Sequence, residues 1–205
     1  MRLRKLLSLL AACGSLAVVS ATSLAATPSK DNSELHRLFD EDQADRDPTN
    51  MKDRDWEAVN IRDDARERRV KEMIADGSLV TGPDFYYAAM VLQHAPRPDD
   101  YLLAHDLCVV AIAKGEERAK WLAAASIDRF LINIGRPQRF GTQFQSQRSF
   151  QPPRLVEVDP SVPDQLRREL NVPTLKEAQA QEQEMAKAFE ASRRPNKSLE
   201  RTREK

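Results

Sequence analysis

Residues that could bind a ligand or transfer a proton lie on helices that are otherwise apolar in this chain. His94 ends one predicted helix, and Asp128 and Arg129 lie on another. A histidine titrates near neutral pH and could act as a general acid or base. Asp128 or Asp63 could orient its ring, and Arg129 or Arg66 could hold an anionic group. The candidate catalytic residues are therefore His94, Asp128 and Arg129.

Charged residues also interrupt the apolar faces of other predicted helices. On the second helix, steps of three and four along one face pass through Trp56, Val59, Asp63, Arg66, Val70 and Met73. On the fifth, Trp121, Leu122 and Ala125 lead to Asp128 and Arg129. An unpaired buried charge costs several kcal/mol, so these side chains need partners, water or a ligand.

Two explanations of these charges remain open. In the structural one, three ion pairs fix the helix packing: Asp42–Arg46, Asp63–Arg66 and Asp128–Arg129. In the functional one, the polar residues line a pocket together with His94, and the candidate ligand-binding residues are Asp42, Arg46, Asp63, Arg66, Gln93, Gln138 and Gln143. The chain has no histidine pair at metal spacing, no phosphate-binding glycine loop and no nucleophile motif, so we predict neither a metal nor a cofactor.

Several of these segments resemble a family of uncharacterised bacterial proteins, a domain of unknown function. The main matches are Gln93-His94-Ala95, Gly115-Glu116, Asp128-Arg129 and the run from Gly135 to Gln143, which contains a specific Pro-Gln-x-Phe-Gly-Thr-Gln motif. Further matches are Asp42-Gln43, Arg46, Val158-Asp159-Pro160, Arg167-Arg168, Leu170 and Pro173-Thr174-Leu175. Pro96 departs from the pattern, since related sequences often have a polar residue there. The resemblance implies a mainly helical, often exported domain and brings no established activity, substrate or cofactor.

Capping residues and helix breakers predict where the helices begin and end. We predict an all-α fold, a compact bundle of about six to seven helices, at about 34–45, 53–76, 81–94, 99–115, 116–135, 163–170 and 174–191. Prolines and glycines make residues 136–160 a long irregular loop with at most one short extended piece, at 154–158. This loop could serve as a lid or recognition loop, in which Arg136, Arg139 and Arg148 would favour a carboxylate-bearing partner.

The N-terminus has the pattern of an export signal. Arg2, Arg4 and Lys5 precede an uncharged apolar run, and small residues allow cleavage after Ala25 or Ala26. We predict a signal peptide at 1–26, a linker at 27–33, a single helical domain at 34–191 and a disordered basic tail at 192–205. The expected location is periplasmic or secreted. The alternatives are a lipoprotein anchored through Cys13 and an uncleaved membrane anchor.

Composition limits the classes of function. The chain has 32 basic and 32 acidic residues, and since the leader carries basic residues only, the mature protein is mildly acidic. This argues against a nucleic-acid partner, and without the leader we predict no membrane span. Cys108 would be the only cysteine left, in an apolar run that predicts a buried, inert thiol.

The preferred function is an exported binding or structural module of the cell envelope, whose partner is an unknown protein or a small polar ligand. The alternative is a hydrolase-like enzyme that uses His94 as general acid/base with Asp128 in a polar pocket. Whether the protein is an enzyme remains open.

Overall fold

The structure of the protein is a computed structural model that describes residues 30–49, 54–146, 148 and 150–193. It contains seven helices and one two-stranded sheet in these ranges, which confirms the predicted all-α fold. The elements are α1 (Ser33–Ala44), α2 (Trp56–Ala75), α3 (Gly82–Leu92), α4 (Pro98–Ala113), α5 (Ala119–Asn133), β1 (Phe144–Gln145), β2 (Arg154–Leu155), α6 (Asp164–Glu169) and α7 (Leu175–Arg193).

Side-chain caps set most of the helix starts. Thr81 and Asp84 form a reciprocal capping box at α3, and Thr174 accepts from and donates to Glu177 at α7. Helix α2 begins at Trp56, later than predicted, because the Asp55 side chain caps it by accepting from the Ala58 amide at 3.1 Å. The capping boxes at Thr81 and Thr174 were therefore predicted from the sequence, whereas the Asp55 cap that starts α2 was missed.

Helix α3 is the central element of the bundle, since it packs against α1, α2, α4 and α5. Its buried alanines, Ala88 and Ala89, and those of its neighbours allow the helices to approach closely. Trp56 and Trp121 were predicted to face this core, but they are 46% and 42% exposed. On α5 the buried face runs instead through Ala119, Leu122, Ala123 and Ser126, so Trp121 points away from it.

The segment 136–160 is less irregular than predicted. Two short strands pair antiparallel, with Phe144 opposite Leu155 and Gln145 opposite Arg154, and a parallel bridge joins Gln138 to Val158. The prediction of at most one extended piece was wrong, because an extended backbone needs a second strand for its hydrogen bonds. A second small core fixes this segment against the back of α5; it consists of Ala124, Phe140, Val162 and Val172.

The chain ends are only partly described. The predicted signal peptide at 1–26, including Cys13 and the cleavage positions, lies outside the described residues, as do residues 194–205 of the predicted tail. Helix α7 continues to Arg193, slightly beyond the predicted end of the helical domain. Within the described ranges, no helix is both long and apolar enough to cross a membrane.

Candidate functional site

A network of ion pairs joins the end of α1 to α2. Arg46 donates to Asp42 Oδ1 at 2.9 Å and to Asp63 Oδ2 at 2.6 Å. Arg66, which is almost fully buried, donates to Asp63 Oδ1 at 2.6 Å. The predicted pairs Asp42–Arg46 and Asp63–Arg66 are therefore both present, and Arg46 links them into one chain of charges.

Asp45 and Arg62 also belong to this network, although sequence reasoning missed them. The Arg62 guanidinium bonds both oxygens of Asp45, at 2.9 and 2.6 Å, and Arg66 adds a third bond at 2.7 Å. The bonds from Arg62, then Arg66, lower the pKa of Asp45 to about 2, against the opposing effect of burial. The sequence did contain a signal for these two residues. An acid-base dipeptide, Asp45-Arg46, ends the first helix, and a base-acid dipeptide, Arg62-Asp63, lies on the second. When the two dipeptides meet, each charge lies opposite a charge of the other sign.

His94 lies in the turn after α3, where its ring is held by a buried carboxylate. Its Nδ1 is 3.0 and 3.1 Å from the two oxygens of Asp42, whose side chain is buried and also accepts from Gln43. The predicted orienting residues, Asp128 or Asp63, were wrong, since the partner is on α1. If Nδ1 carries the proton toward Asp42, Nε2 remains an acceptor for a ligand or a proton.

The surroundings of His94 favour its neutral form. Burial lowers the pKa of His94, the Asp42 carboxylate opposes this shift, and the positive charges of Arg46 and Arg129 add to it. At neutral pH the imidazole therefore has a free lone pair. A neutral imidazole held by a carboxylate can accept a hydrogen bond or act as a general base.

A polar cleft opens at His94, between α2 and the turn that joins α3 to α4. A cavity of about 290 Å³ is lined by Asn60, Asp63, Asp64, His94 and Pro96. A neighbouring hollow of about 270 Å³ shares Asp64 and Pro96, and its other lining residues are Glu67, Arg68 and Arg97. We call the two together the α2 cleft. The lining residues of α2 recur at steps of three and four, from Asn60 through Asp63 and Asp64 to Glu67 and Arg68. Successive turns of this one helix therefore form one side of the α2 cleft.

Arg129 does not pair with Asp128. Its Nη1 donates to the backbone carbonyl of Gln93 at 3.0 Å, while the Gln93 side chain is buried against Met90. Neighbours in a helix point about 100° apart, so the predicted Asp128–Arg129 pair was wrong. Burial lowers the pKa of Arg129, Tyr101 opposes the shift, and Arg46 adds to it.

Asp128 instead binds the backbone of the loop that follows α5. Its carboxylate accepts from the amides of Arg139 (2.7 Å), Phe140 (3.0 Å) and Thr142 (3.1 Å), and from Thr142 Oγ1 at 2.8 Å. Gly141 between them has φ 82°, a conformation that favours glycine. Asp128 is completely buried, and its hydrogen-bonding capacity is used within the loop.

The two predicted glutamines also stabilise this loop. Gln138 is fully buried; it donates to the carbonyls of Gln143 and Val156 at 3.0 and 2.8 Å and accepts from the Gln143 amide at 2.9 Å. The Gln143 side chain contacts Thr142 Oγ1 at 2.9 Å. Among the described residues, neither glutamine makes a hydrogen bond with His94.

Arg167 of α6 completes the loop's support and was not among the predicted site residues. Its side chain is buried and donates to the carbonyls of Phe140 (3.1 Å), Arg139 (3.0 Å) and Val162. Asp128 thus binds the loop's amides and Arg167 binds its carbonyls. We call Asp128, Gln138, Thr142, Gln143 and Arg167 the loop anchor.

The predicted site residues therefore separate into two groups. Those near His94 are Asp42, Arg46, Asp63, Arg66, Arg129 and the backbone of Gln93; those in the loop anchor are Asp128, Gln138 and Gln143. Of the loop arginines, Arg136 and Arg139 line a third cavity of about 420 Å³, whereas Arg148 is near the Phe150 ring. In the described ranges no group of three or more His, Cys, Asp or Glu side chains is arranged to hold a metal ion.

No family model, no curated protein and no solved structure matches this chain. The resemblance to a domain of unknown function stays a prediction.

Proposed function

We propose that the protein is an exported binding module that holds a small polar ligand in the α2 cleft, with His94 as the main contact. The observation that supports this is the His94 ring, fixed by Asp42 through Nδ1 at the wall of an open cavity. A few precisely placed polar groups in a concave surface fix the orientation of a ligand.

The hydrogen bonding of the cleft supports a binding role over a purely structural one. Asp63 is engaged by Arg46 and Arg66. In contrast, the side chains of Asn60 and Asp64 have no hydrogen-bond partner among the described residues, although both line the cavity. These groups and His94 Nε2 are available to a ligand that offers hydroxyl, amide or amine groups.

Export is part of the proposal and rests on the sequence. The basic start, the uncharged run that follows it and the small residues before residue 27 are typical of a cleaved signal. A ligand of this protein would then be met outside the cytoplasm.

Blocking the cleft tests the binding role. We would follow the His94 ring by NMR while adding neutral, cationic and anionic small polar compounds to the mature protein. Asn60→Trp should fill the cleft and abolish the ring shifts that a ligand produces in the unmodified protein. Ile61→Trp is the matched control, because Ile61 is the next residue of α2, is 66% exposed and does not line the cleft. Shifts that persist in Asn60→Trp, or none with any compound, would reject the proposal.

A hydrolase-like activity is the second candidate, and the His94–Asp42 contact is the observation that favours it. In such a reaction His94 Nε2 takes a proton from a water that attacks an acyl carbon, and then gives it to the leaving oxygen. Asp42, not Asp128, would stabilise the imidazolium. Turnover of a panel of small esters, lost in His94→Gln and reduced in Asp42→Asn with folding intact, would support it; equal turnover in His94→Gln would reject it.

A further inference from the structure

Arg129 is an additional cation beside a network whose charges already balance. In that network three aspartates, Asp42, Asp45 and Asp63, pair with three arginines, Arg46, Arg62 and Arg66. Arg129 forms no ion pair with any carboxylate of the described residues, and its one hydrogen bond there goes to the Gln93 carbonyl. Arg129 is therefore a cation near His94 that no described carboxylate pairs with.

The free edge of the Arg129 guanidinium is the one that binds carboxylates elsewhere in the protein. Nη1 is used by the Gln93 carbonyl, which leaves Nε and Nη2 without described partners; Nε is buried as well. Arg62 uses Nε and Nη2 to bind both oxygens of Asp45, and Arg69 binds Glu34 in the same way at 2.8 and 2.9 Å. This edge matches two oxygens of one oxyanion.

Keeping an unpaired guanidinium largely buried is unfavourable in the free protein. Burial lowers the pKa of Arg129, and the nearby charge of Arg46 disfavours its cation further. A buried donor without a partner such as Nε adds a desolvation penalty. An oxyanion would offset both penalties, because it pairs with the charge of Arg129 and accepts from the unpartnered nitrogens.

We propose that Arg129, with Arg46 and His94 beside it, binds an oxyanion group of the ligand, either a carboxylate or a phosphate. This inference rests on the proposed function and specifies the chemical class of the ligand. Because Nε is covered by protein atoms, the oxyanion must shift the guanidinium slightly to reach both nitrogens.

Titration with inorganic phosphate and with acetate tests the oxyanion site and distinguishes the two chemistries. We expect one of these anions to shift the His94 ring and the Gln93 amide signal in the mature protein, and Arg129→Gln to weaken its binding at least tenfold. Arg129→Lys keeps the charge and loses the two-nitrogen edge, so its affinity should be intermediate. Arg168→Gln is the control, because Arg168 is exposed on α6, lines neither hollow of the α2 cleft and has no described partner, and we expect its affinity to be unchanged.

Three results would overturn the oxyanion site: no shift with either anion, unweakened binding in Arg129→Gln, or an equal loss in Arg168→Gln. Melting temperature is a second measure, and Arg129→Gln should melt at or above the temperature of the unmodified protein. A large drop would show that Arg129 is structural and would also reject the inference. If neutral or cationic compounds shift His94 while phosphate and acetate do not, the ligand cleft stands and the oxyanion site fails.

Discussion

Replacing Asp128 with asparagine should destabilise the protein severely without changing the volume of the side chain. The carboxylate accepts three backbone amides and one hydroxyl at 2.7–3.1 Å in a fully buried position. Asparagine keeps one acceptor oxygen and presents an NH₂ group to donors, so about half of these bonds are lost. Hydrogen bonds to a charged group contribute about 1.5–3 kcal/mol each, which predicts a loss of about 3–6 kcal/mol.

Urea unfolding followed by circular dichroism measures this loss. Because the whole stability of a domain is about 5–15 kcal/mol, Asp128→Asn should lower the unfolding midpoint substantially or leave the loop unfolded. Asp106→Asn is a matched control, since Asp106 is exposed on α4 and has no described partner; it should change stability by at most about 0.5 kcal/mol. A loss below about 1 kcal/mol in Asp128→Asn would show that the loop amides do not depend on this carboxylate.

Three further predictions concern Cys108, Asp45 and His94. Burial raises the pKa of the Cys108 thiol, so a thiol reagent should label it slowly in the native protein and rapidly in urea; rapid native labelling would contradict its burial. The pKa of Asp45 is lowered from 3.8 to about 2, so the ionised carboxylate stabilises the folded protein fully above pH 3.8, and this contribution is lost as the pH falls toward 2. Asp45→Asn should lower the free energy of unfolding by about 1–2 kcal/mol near neutral pH and should make stability depend less on pH between 3.8 and 2. The pKa of His94 is lowered from 6.5, so the unmodified protein should lose stability as the pH falls below 6.5, and His94→Gln should not show that part of the loss.

Much of the helical architecture could be predicted, because its signals are local. Thr81 with Asp84 and Thr174 with Glu177 cap helices within a few residues of sequence, and Gly135 ends α5 as a positive-φ glycine. The start of α5 was missed because residues 116–118 form a turn, in which Glu116 accepts from the Arg118 amide at 3.1 Å. An acidic residue after a glycine, as at Glu116, is found both in such a turn and in the first turn of a helix, so the sequence pattern does not distinguish the two.

The partners of the polar residues could be predicted only within one helix. Asp42 and Arg46 are four apart and Asp63 and Arg66 three apart, so helical geometry brings each pair together. His94 finds Asp42 across 52 positions of sequence, a contact that depends on how α1 packs against α3. No helical periodicity contains that information, which is why the orienting residue of His94 was predicted to be Asp128 or Asp63.

Unused hydrogen-bonding capacity separates the two groups of polar residues more clearly than residue type does. In the loop anchor, Asp128 binds amides and Arg167 binds carbonyls, so the loop itself satisfies both ions. Arg129 is less enclosed than either ion, but its Nε is buried with no described partner and no described carboxylate balances its charge. A largely buried cation without a carboxylate partner carries a desolvation cost that an apolar side chain in the same place would not. The desolvation cost of the unpaired Arg129 guanidinium near His94 is therefore the strongest physical reason to look for a ligand there and not at the loop.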